Sequence, residues 1–363
     1  MQLNAPKLKQ ILHFNIKIET VTGLLISTGR TLGRIGGIDA EPMSVKKEYI
    51  CGNNKILVKV PYIPGSSLKG RMRSLLELYL GLPLYSTDQK IWAHTPSKDA
   101  HKTLGEDKLG IEEFLKDIGE HKLDRLFGYS SFSIKELEDI INAQQQKTNQ
   151  PSQSQPTPNQ PNPPSTGQGN PSQQGGGPNQ PSIDVDKILK RLTPTLLLVD
   201  DFFVETNQVC DIHRRKGTVS FEDFVEEKNE NRIDRITSMA DPRTILRVKP
   251  GVRFEGKISL LIFENMFEQG TMKEELREYL ELLLNGLSLV ETTYLGASGS
   301  RGYGRVKFVD ILLSATKVEG GLIEEEKVEG GEFKDLKELK DNLDKIIEKI
   351  SKDLNVQKKN TGT

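Results

Sequence analysis

Residues 59–79 combine the features of a site for a phosphate or another anion. An extended apolar run ends in a Pro-x-x-Pro-Gly turn, Ser66 and Ser67 stand where a helix N-cap is expected, and an apolar helical face follows. A helix that begins in this way points unpaired backbone N–H groups and the positive end of its dipole outward. Lys69, Arg71 and Arg73 add cations within the first two turns. An ordinary solvated basic helix start has the same pattern, so both interpretations stay open.

The order of residues between the glycines is not that of a Walker loop. That motif places a lysine directly after its second glycine. Here Lys69 precedes Gly70, and Arg71 follows it. A mononucleotide site is therefore disfavoured, whereas the phosphates of a polynucleotide remain candidate ligands.

A glycine-rich stretch near the N-terminus also carries cations. Residues 29–37 hold four glycines together with Arg30 and Arg34, and Asp39 follows them. Glycines permit positive φ angles and close approach to a ligand. A flexible hairpin loop has the same composition, and a lone loop aspartate is usually a turn former. From the residues alone, a turn-forming role for Asp39 is therefore more common than a catalytic role.

A second glycine-rich stretch lies in residues 295–308. Gly299, Ser300 and Arg301 stand in a turn that leads into a strand, which distinguishes it from a Rossmann fingerprint, where a helix follows. Backbone amides in such a turn can meet phosphates without obstruction by a Cβ atom.

Residues 226–254 interleave cations with apolar residues and predict a β-hairpin arm with its tip near residues 239–242. The cations of this segment are Lys228, Arg232, Arg235, Arg243, Arg247, Lys249 and Arg253. Apolar wedges combined with phosphate contacts can offset the cost of unstacking a base step. A solvated charged hairpin fits the pattern equally well.

The overall charge does not indicate a nucleic-acid partner, since 50 lysines and arginines nearly cancel 51 aspartates and glutamates among 363 residues. Two cysteines, Cys51 and Cys210, cannot make a disulfide framework and fit a reducing cytoplasm. We find no charged-then-apolar leader and no apolar run of membrane length, and we expect a cytoplasmic protein.

Residues of the types that bind zinc are few, the candidates being His94, His101, Cys210 and His213. No spacing among them gives a four-ligand site, so structural zinc is not expected. Asp200 and Asp201 interrupt the apolar run 195–204. Paired aspartates suit a cation, but the interpretation that we favour is a strand that breaks there.

Residues 143–183 are almost only Gln, Pro, Asn, Ser, Thr and Gly. They predict a disordered insert within one domain, because too few apolar groups are present to offset the entropy of ordering. Beyond Lys317 we expect an acidic linker and then a helix over residues 332–354 with one apolar stripe. That stripe packs on this chain's own core or on a neighbouring subunit, and the sequence leaves both open.

Five stretches, in order along the chain, resemble motifs of the RAMP superfamily of CRISPR proteins. They are Ile35-Gly36-Gly37-Ile38-Asp39, Pro64-Gly65-Ser66-Ser67-Leu68-Lys69-Gly70, Leu126-Phe127-Gly128-Tyr129-Ser130, Glu230-Asn231-Arg232-Ile233-Asp234-Arg235-Ile236-Thr237 with Asp241-Pro242-Arg243, and Tyr294-Leu295-Gly296-Ala297-Ser298-Gly299-Ser300-Arg301-Gly302-Tyr303-Gly304. Each motif alone is weak, but five in order are specific. Within the superfamily the chain is most similar to the repeated backbone subunit of type III-A/D (Csm-type) effector complexes, which cuts target RNA.

The resemblance implies an α+β fold: a ferredoxin-like (RRM-like) core with an antiparallel sheet, an inserted lid and a thumb β-hairpin over about 226–254. Residues 1–142 and 184–315 would form this RNA-binding domain, interrupted by the disordered insert 143–183. Residues 316–363 would add the acidic linker and the amphipathic C-terminal helix.

The resemblance also implies partners and a reaction. The partners are guide (CRISPR) RNA, target RNA, further copies or paralogous backbone subunits, and other type III effector subunits. An aspartate at the place of Asp39 is required in the family for target cleavage, a reaction that needs a divalent metal, Mg²⁺ or Mn²⁺, and uses the 2′-hydroxyl of the RNA as nucleophile.

The residues that we expect to contact RNA are Arg30, Arg34, Ser66, Ser67, Lys69, Arg71, Arg73, Arg232, Arg235, Arg243, Arg247, Gly299, Ser300 and Arg301. Two alternatives remain: a backbone subunit that does not cut, and a guide-RNA-processing endoribonuclease of the same superfamily. The second usually relies on a histidine beside the glycine-rich loop, and His213 lies far from it in sequence.

Overall fold

Strands and helices make up most of the described chain, which in this computed structural model comprises residues 6–27, 40–82, 84, 92–94, 122–128, 194–267, 270–319 and 322–360. The strands are β1 (Leu8–Thr20), β2 (Ser44–Cys51), β3 (Asn54–Ile63), β4 (Leu197–Val199), β5 (Phe202–Val204), β6 (Val225–Ile233), β7 (Ala240–Val248), β8 (Arg253–Phe263), β9 (Val306–Glu319) and β10 (Leu322–Asp335). The helices are α1 (Gly65–Tyr79), α2 (Lys122–Phe127), α3 (Thr206–Lys216), α4 (Met272–Thr292), α5 (Leu336–Asp341) and α6 (Leu343–Asn360).

Eight of these strands form one antiparallel sheet in the order β10-β9-β1-β8-β5-β3-β2, with β4 also paired to β8. Strands β6 and β7 pair with each other in a separate two-stranded sheet. The prediction of an α+β chain built around an antiparallel sheet is confirmed.

Helices α1 and α4 pack on the sheet and on each other in the main hydrophobic core. Along β1 the apolar side chains alternate, and Leu12, Phe14 and Ile16 are at most 2 % exposed. Gly286 of α4 allows the two helices to approach, because a Cβ atom there would lie 3.1 Å from a methyl group of Leu76 in α1. The apolar face of the sheet, which has a period of two, therefore packs against the apolar faces of α1 and α4.

Two sequence predictions for the centre of the sheet are confirmed. Apolar alternation over residues 253–263 predicts a strand, and β8 has these bounds, Arg253–Phe263. The apolar run 195–204 divides at Asp200 and Asp201 into β4 and β5. Within the described ranges, no group of three or more His, Cys, Asp or Glu side chains could hold a metal ion.

The prediction of an acidic linker beyond Lys317 is wrong. The chain continues β9 and then forms β10, which pairs with β9 at the edge of the sheet. The predicted helix begins four residues later than expected, at Leu336, and breaks at Asn342. Its apolar stripe is buried in this chain's own core, where Leu339 and Ile350 are at most 2 % exposed.

Cys51, at the end of β2, and Cys210, in α3, form a disulfide bond with their Cα atoms 5.3 Å apart. The expectation of two unpaired cysteines is therefore wrong. The argument for a reducing cytoplasm that relied on them loses its support, because disulfides are rare in that compartment. The bonded sulfur of Cys210 is also not a thiolate, so its pairing with His213 in a metal site is excluded.

Some predictions concern residues outside the described ranges: the insert 143–183, Arg30, Arg34, Asp39 and His101. Among the helices that are described, none combines the length and the apolar character needed to cross a membrane.

Candidate nucleic-acid interface

Helix α1 begins at Gly65, two residues earlier than an N-cap at Ser66 would place it, and its cap is different. Ser66 and Ser67 lie inside the first turn, and Pro64 occupies the N-cap position without a side-chain hydrogen bond. The backbone N–H of Gly65 instead donates to a carboxylate oxygen of Asp201 at 2.8 Å. A Cβ atom at Gly65 would lie 2.1 Å from the carbonyl oxygen of Val199, so only glycine fits where α1 meets β4. The N-cap role predicted for the serines is therefore wrong.

The first two cations of α1 are partly buried and hold neighbouring backbone. The Lys69 ammonium donates to the carbonyl oxygen of Leu197 at 2.8 Å, and burial, together with the nearby Arg73 charge, lowers the pKa of Lys69. Arg71 donates from Nε to the carbonyl oxygen of Tyr294 at 3.1 Å and lies over the ring of that tyrosine, 4.1 Å from its centroid. Arg71 thus joins α1 to the second glycine-rich stretch.

Arg73 is committed to the fold. Its guanidinium donates to Glu77 Oε1 and Asp124 Oδ1, both at 2.8 Å, and to the carbonyl oxygens of His94 and Gly128 at 2.8 and 2.7 Å. Both carboxylates are almost fully buried. Four of its five N–H donors are used, so the structure gives Arg73 a structural role in place of the expected phosphate contact.

Residues 294–304, the glycine-rich loop, are held by close backbone packing. Gly299, Ser300 and Arg301 form a 3₁₀ turn, in which Ser300 and Arg301 are exposed. A Cβ atom at Gly299 would lie 2.0 Å from the ring of Tyr294, which explains the glycine at this position. Arg301 Nη2 donates to Ser298 Oγ at 2.8 Å. The turn therefore presents a hydroxyl and a guanidinium to solvent on a rigid support.

Residues 21–27 lie between the glycine-rich loop and the hairpin. The N–H of Gly304 donates to the carbonyl oxygen of Gly23, and Leu24 exchanges two backbone hydrogen bonds with Val248 at the end of β7. On the same strand, Leu246 N–H donates to the carbonyl oxygen of Ala40 at 2.9 Å. Ala40 directly follows Asp39 in the chain, so the described neighbour of the candidate catalytic residue is fixed at the base of the hairpin.

Strands β6 and β7 form the predicted hairpin, but its tip lies a few residues earlier than expected. The turn is Asp234–Met239, closed by a hydrogen bond from Asp234 N–H to the Met239 carbonyl oxygen. Asp234 also accepts from the backbone N–H groups of Ile236 and Thr237, and these bonds lower its pKa. Residues 240–242, predicted as the tip, belong to β7. The predicted tip therefore lies on the strand that follows the actual turn.

The tip is apolar and open to solvent. Ile233, Ile236 and Met239 are 55 %, 93 % and 70 % exposed. The cations beside them, Arg232, Arg235 and Arg243, are exposed as well. Large apolar side chains at a protruding tip have no stabilising role in the monomer, and they mark a contact surface.

Arg247 differs from the other hairpin cations. It is paired with Glu226 at 2.7 Å and its side chain is only 17 % exposed. Its guanidinium lies 4.7 Å from the centroid of the Tyr303 ring. A Cβ atom at Gly23 would come within 2.2 Å of it. The structure therefore places Arg247 in the packing between the hairpin and the glycine-rich loop.

Sequence reasoning included Tyr294, Tyr303 and Glu230 in its motifs but assigned them no role. The ring of Tyr294 carries Arg71, and the Tyr303 hydroxyl donates to Glu230 at 2.7 Å. Burial, with the bond to Glu230, raises the pKa of Tyr303 to about 12. The available signal was the aromatic residue between two glycines, since Tyr303 is flanked by Gly302 and Gly304.

Together these elements form a surface suited to a polynucleotide. The hairpin tip supplies exposed apolar wedges with cations, and the glycine-rich loop supplies exposed Ser300 and Arg301. The RAMP superfamily model matches residues 17–307. The chain belongs to the RAMP superfamily.

Several curated relatives share one name, "CRISPR system Cms endoribonuclease Csm3". The protein from Streptococcus thermophilus is 28 % identical over 310 residues, which cover 85 % of this chain and 91 % of that relative. The one from Methanothermobacter thermautotrophicus is 27 % identical over 302 residues, covering 82 % and 83 %. The one from Methanocaldococcus jannaschii is 38 % identical over 130 residues, which are 34 % of this chain and 48 % of that relative.

Solved structures give similar matches. The Methanopyrus kandleri Csm3 crystal structure matches with a TM-score of 0.46 at 19 % identity, covering 94 % of this chain and 98 % of that one. A Csm3–Csm4 subcomplex of the type III-A CRISPR–Cas interference complex matches with a TM-score of 0.40 at 19 % identity, covering 93 % and 97 %.

Proposed function

We propose that this RAMP protein is a repeated backbone subunit of a type III CRISPR ribonucleoprotein, which binds guide RNA along its length and cleaves complementary target RNA. The Streptococcus thermophilus relative named as a Csm3 endoribonuclease matches 85 % of this chain and 91 % of its own length, which supports the proposal. Its partners would be guide and target RNA, further copies of itself or paralogous backbone subunits, and other subunits of the complex.

One observation carries the proposal: the hairpin base, the glycine-rich loop and Ala40 are packed together. Leu25, Ile245 and Tyr303 form a small buried cluster, and Ala40 packs against it. An apolar wedge and a phosphate-binding turn are thereby held beside the residue that follows Asp39. Base pairing with the guide would supply sequence specificity, so the protein has only to grip backbone and shape.

The finer fold assignment is part of the proposal. Strands β9, β1, β8 and β4 are neighbours in that order, and α1 and α4 lie in the connections between them. This arrangement supports a ferredoxin-like (RRM-like) core. The hairpin β6–β7 would be the thumb, whose exposed tip residues Ile236 and Met239 wedge between bases of the guide–target duplex.

The RNA contacts that we propose are the exposed ones. On the hairpin they are Arg232, Arg235 and Arg243, and on the glycine-rich loop they are Ser300 and Arg301. Arg71 supports the backbone of the glycine-rich loop at Tyr294, whereas Lys69 holds the backbone of β4 at Leu197. Phosphate contacts of this kind raise affinity for all sequences and weaken with salt.

For cleavage we propose Asp39 as the catalytic residue. Its carboxylate would accept the proton of the 2′-hydroxyl or bind a divalent cation. The 2′-oxygen would attack the adjacent phosphorus, forming a P–O2′ bond and breaking the P–O5′ bond. The departing O5′ would take a proton from water, so the products carry a 2′,3′-cyclic phosphate and a 5′-hydroxyl.

A metal requirement is part of the same proposal. We propose that Asp39 would help to hold Mg²⁺ or Mn²⁺, because a carboxylate oxygen is a ligand type that these ions prefer. The ion would supply charge stabilisation at the phosphate.

The decisive experiment assembles the complex with an Asp39→Asn subunit and measures target binding and cutting separately. We expect cutting to fall by about two to four powers of ten while binding persists. Asp211→Asn, an exposed carboxylate on α3, is the matched control and should cut at the normal rate. Titrating Mg²⁺ and Mn²⁺ into chelator-treated complex tests the metal.

The same assay separates the alternatives. Tight target binding with full-speed cutting by Asp39→Asn would remove Asp39 from the mechanism and leave this subunit as a scaffold. Cleavage of repeat RNA by the isolated protein would instead make it a guide-processing nuclease.

A further inference from the structure

Tyr303 is fully buried although the residues directly before it in the glycine-rich loop are exposed. Its relative exposure is 0 %, whereas its neighbours Arg301 and Gly302 are exposed. A large side chain that is buried next to exposed residues must pack against another element of the protein. The contacts of Tyr303 show that this is one face of the hairpin β6–β7.

Three hairpin side chains converge on Tyr303. Its hydroxyl donates to Glu230 Oε1 at 2.7 Å, and the Lys228 ammonium and the Arg247 guanidinium lie 4.4 and 4.7 Å from the ring centroid. Lys228 and Arg247 are further tied to Glu230 at 3.3 Å and to Glu226 at 2.7 Å. The ring thus meets cations through its π face and an anion through its hydroxyl.

The hairpin has few other attachments to the body of the protein. Strands β6 and β7 form their own sheet, and the described bridges to them are Leu24 with Val248 and Ala40 with Ile245. Both bridges lie at the base of the hairpin. Of these attachments, the contact between Tyr303 and Glu230 lies nearer the tip than the two bridges, because Glu230 stands three residues before Ile233.

We propose that Tyr303 is the positioning residue that fixes the angle of the hairpin relative to the glycine-rich loop. With that angle fixed, the apolar tip and the exposed Ser300 and Arg301 act on one RNA backbone in a constant register. The part of this inference that concerns RNA rests on the proposed function, whereas the docking of the hairpin does not.

Hydrogen exchange in the free protein tests the docking. Tyr303→Phe keeps the ring and loses the bond to Glu230, and Tyr303→Leu also loses the cation contacts. We expect exchange of the β6–β7 amides to accelerate about tenfold in Tyr303→Phe and further in Tyr303→Leu, with β1 unchanged relative to global stability. Unchanged hairpin exchange in Tyr303→Leu would overturn the proposal.

Phe308→Leu is the matched control. Phe308 is equally buried but lies in the main core, opposite Ile18 of β1. It should lower the stability of the whole protein without selective loosening of the hairpin. If Phe308→Leu loosened β6–β7 as much as Tyr303→Leu did, the effect would be general destabilisation and the proposal would fail.

The second readout is the position of target cuts in the assembled complex. Tyr303→Leu should broaden the cut positions or reduce cutting while Tyr303→Phe retains much of the wild-type pattern, because the ring remains. Sharp, unshifted cuts at the wild-type rate in Tyr303→Leu would contradict a positioning role. Absence of cutting by the wild-type complex would instead contradict the proposed function and leave the exchange result standing.

Discussion

The carboxylate of Asp201 accepts a 2.8 Å hydrogen bond from the backbone N–H of Gly65, 136 positions away in the chain. The positive end of helix α1 is therefore already faced by a negative side chain of the protein itself. The negative charge of that carboxylate would repel an RNA phosphate at the start of this helix. The most obvious anion motif in the sequence is thus part of the fold, and the exposed cations that we propose as RNA contacts lie on the hairpin and the glycine-rich loop.

Gly65→Ala should destabilise the protein strongly, because its Cβ atom would lie 2.1 Å from the backbone oxygen of Val199. Overpacking of this kind costs about 1–3 kcal/mol or more. Gly70→Ala is the control in the same helix: nothing lies within 4 Å of its Cβ atom, so alanine should stabilise by about 0.5–1 kcal/mol. Thermal unfolding of the two variants measures both, and equal melting temperatures would contradict the close contact.

Arg73→Ala should cost about 3–5 kcal/mol of stability, because Asp124 and Glu77 would remain buried without their partner. Chemical denaturation measures this loss. Arg235→Ala is the matched variant on the exposed hairpin turn, and its stability should stay within about 0.5 kcal/mol of wild type.

For RNA binding we expect the opposite order of effects: Arg235→Ala should weaken binding, and Arg73→Ala should not. Arg235→Ala should reduce the salt dependence of guide-RNA binding by about 0.7 in the logarithmic slope, for any RNA sequence. If Arg73→Ala were stable and showed the same reduced slope, Arg73 would contact phosphate, as the sequence suggested.

Some of the fold could be predicted from sequence because the determining pattern is local. Strand β8 and the break at Asp200 follow from apolar alternation and its interruption. Strand β10 could not be predicted, because its run of glutamates has no apolar alternation and pairing with β9 alone makes it a strand.

The site shows the same limit. A cation can be recognised in sequence, but whether it faces solvent, like Arg235, or buried carboxylates, like Arg73, depends on residues far away in the chain. The disulfide between Cys51 and Cys210 is equally a product of tertiary packing, since α3 must lie on β2 for it to form. The hairpin could be predicted from its local pattern, although its turn lies a few residues earlier than expected.

Replacing the apolar tip with Ile236→Ser and Met239→Ser should leave stability within about 0.5 kcal/mol, because both side chains are largely exposed. The change should abolish unstacking of the guide, which 2-aminopurine fluorescence at successive guide positions reports. Ile323→Ser, 71 % exposed on the edge strand β10, is the control and should leave that fluorescence unchanged. Persistent unstacking without the two tip residues would show that they are not wedges.

Cys51→Ser should lower stability by about 2–5 kcal/mol, since the disulfide closes a loop of 159 residues in the unfolded chain. A reductant should lower the melting temperature of the wild type towards that of the variant and should not affect the variant itself. If the reductant left the wild type unchanged while free thiols appeared, the bond would not contribute to stability.

The last prediction concerns pH and the contact between Tyr303 and Glu230. The hydrogen bond from Tyr303, with the nearby Lys228 charge, lowers the pKa of Glu230 below its ordinary value of 4.5. A carboxyl whose pKa is lower in the folded state stabilises the fold above its unfolded pKa, and this contribution is lost as the pH falls through the folded pKa. The stability difference between wild type and Tyr303→Phe should therefore be full above about pH 5 and shrink below it. Denaturation of both proteins from pH 7 to pH 3 measures the difference, and Glu230→Gln should make it independent of pH. A difference that stays constant down to pH 3 in the wild-type background would show that the charge on Glu230 does not contribute to docking of the hairpin.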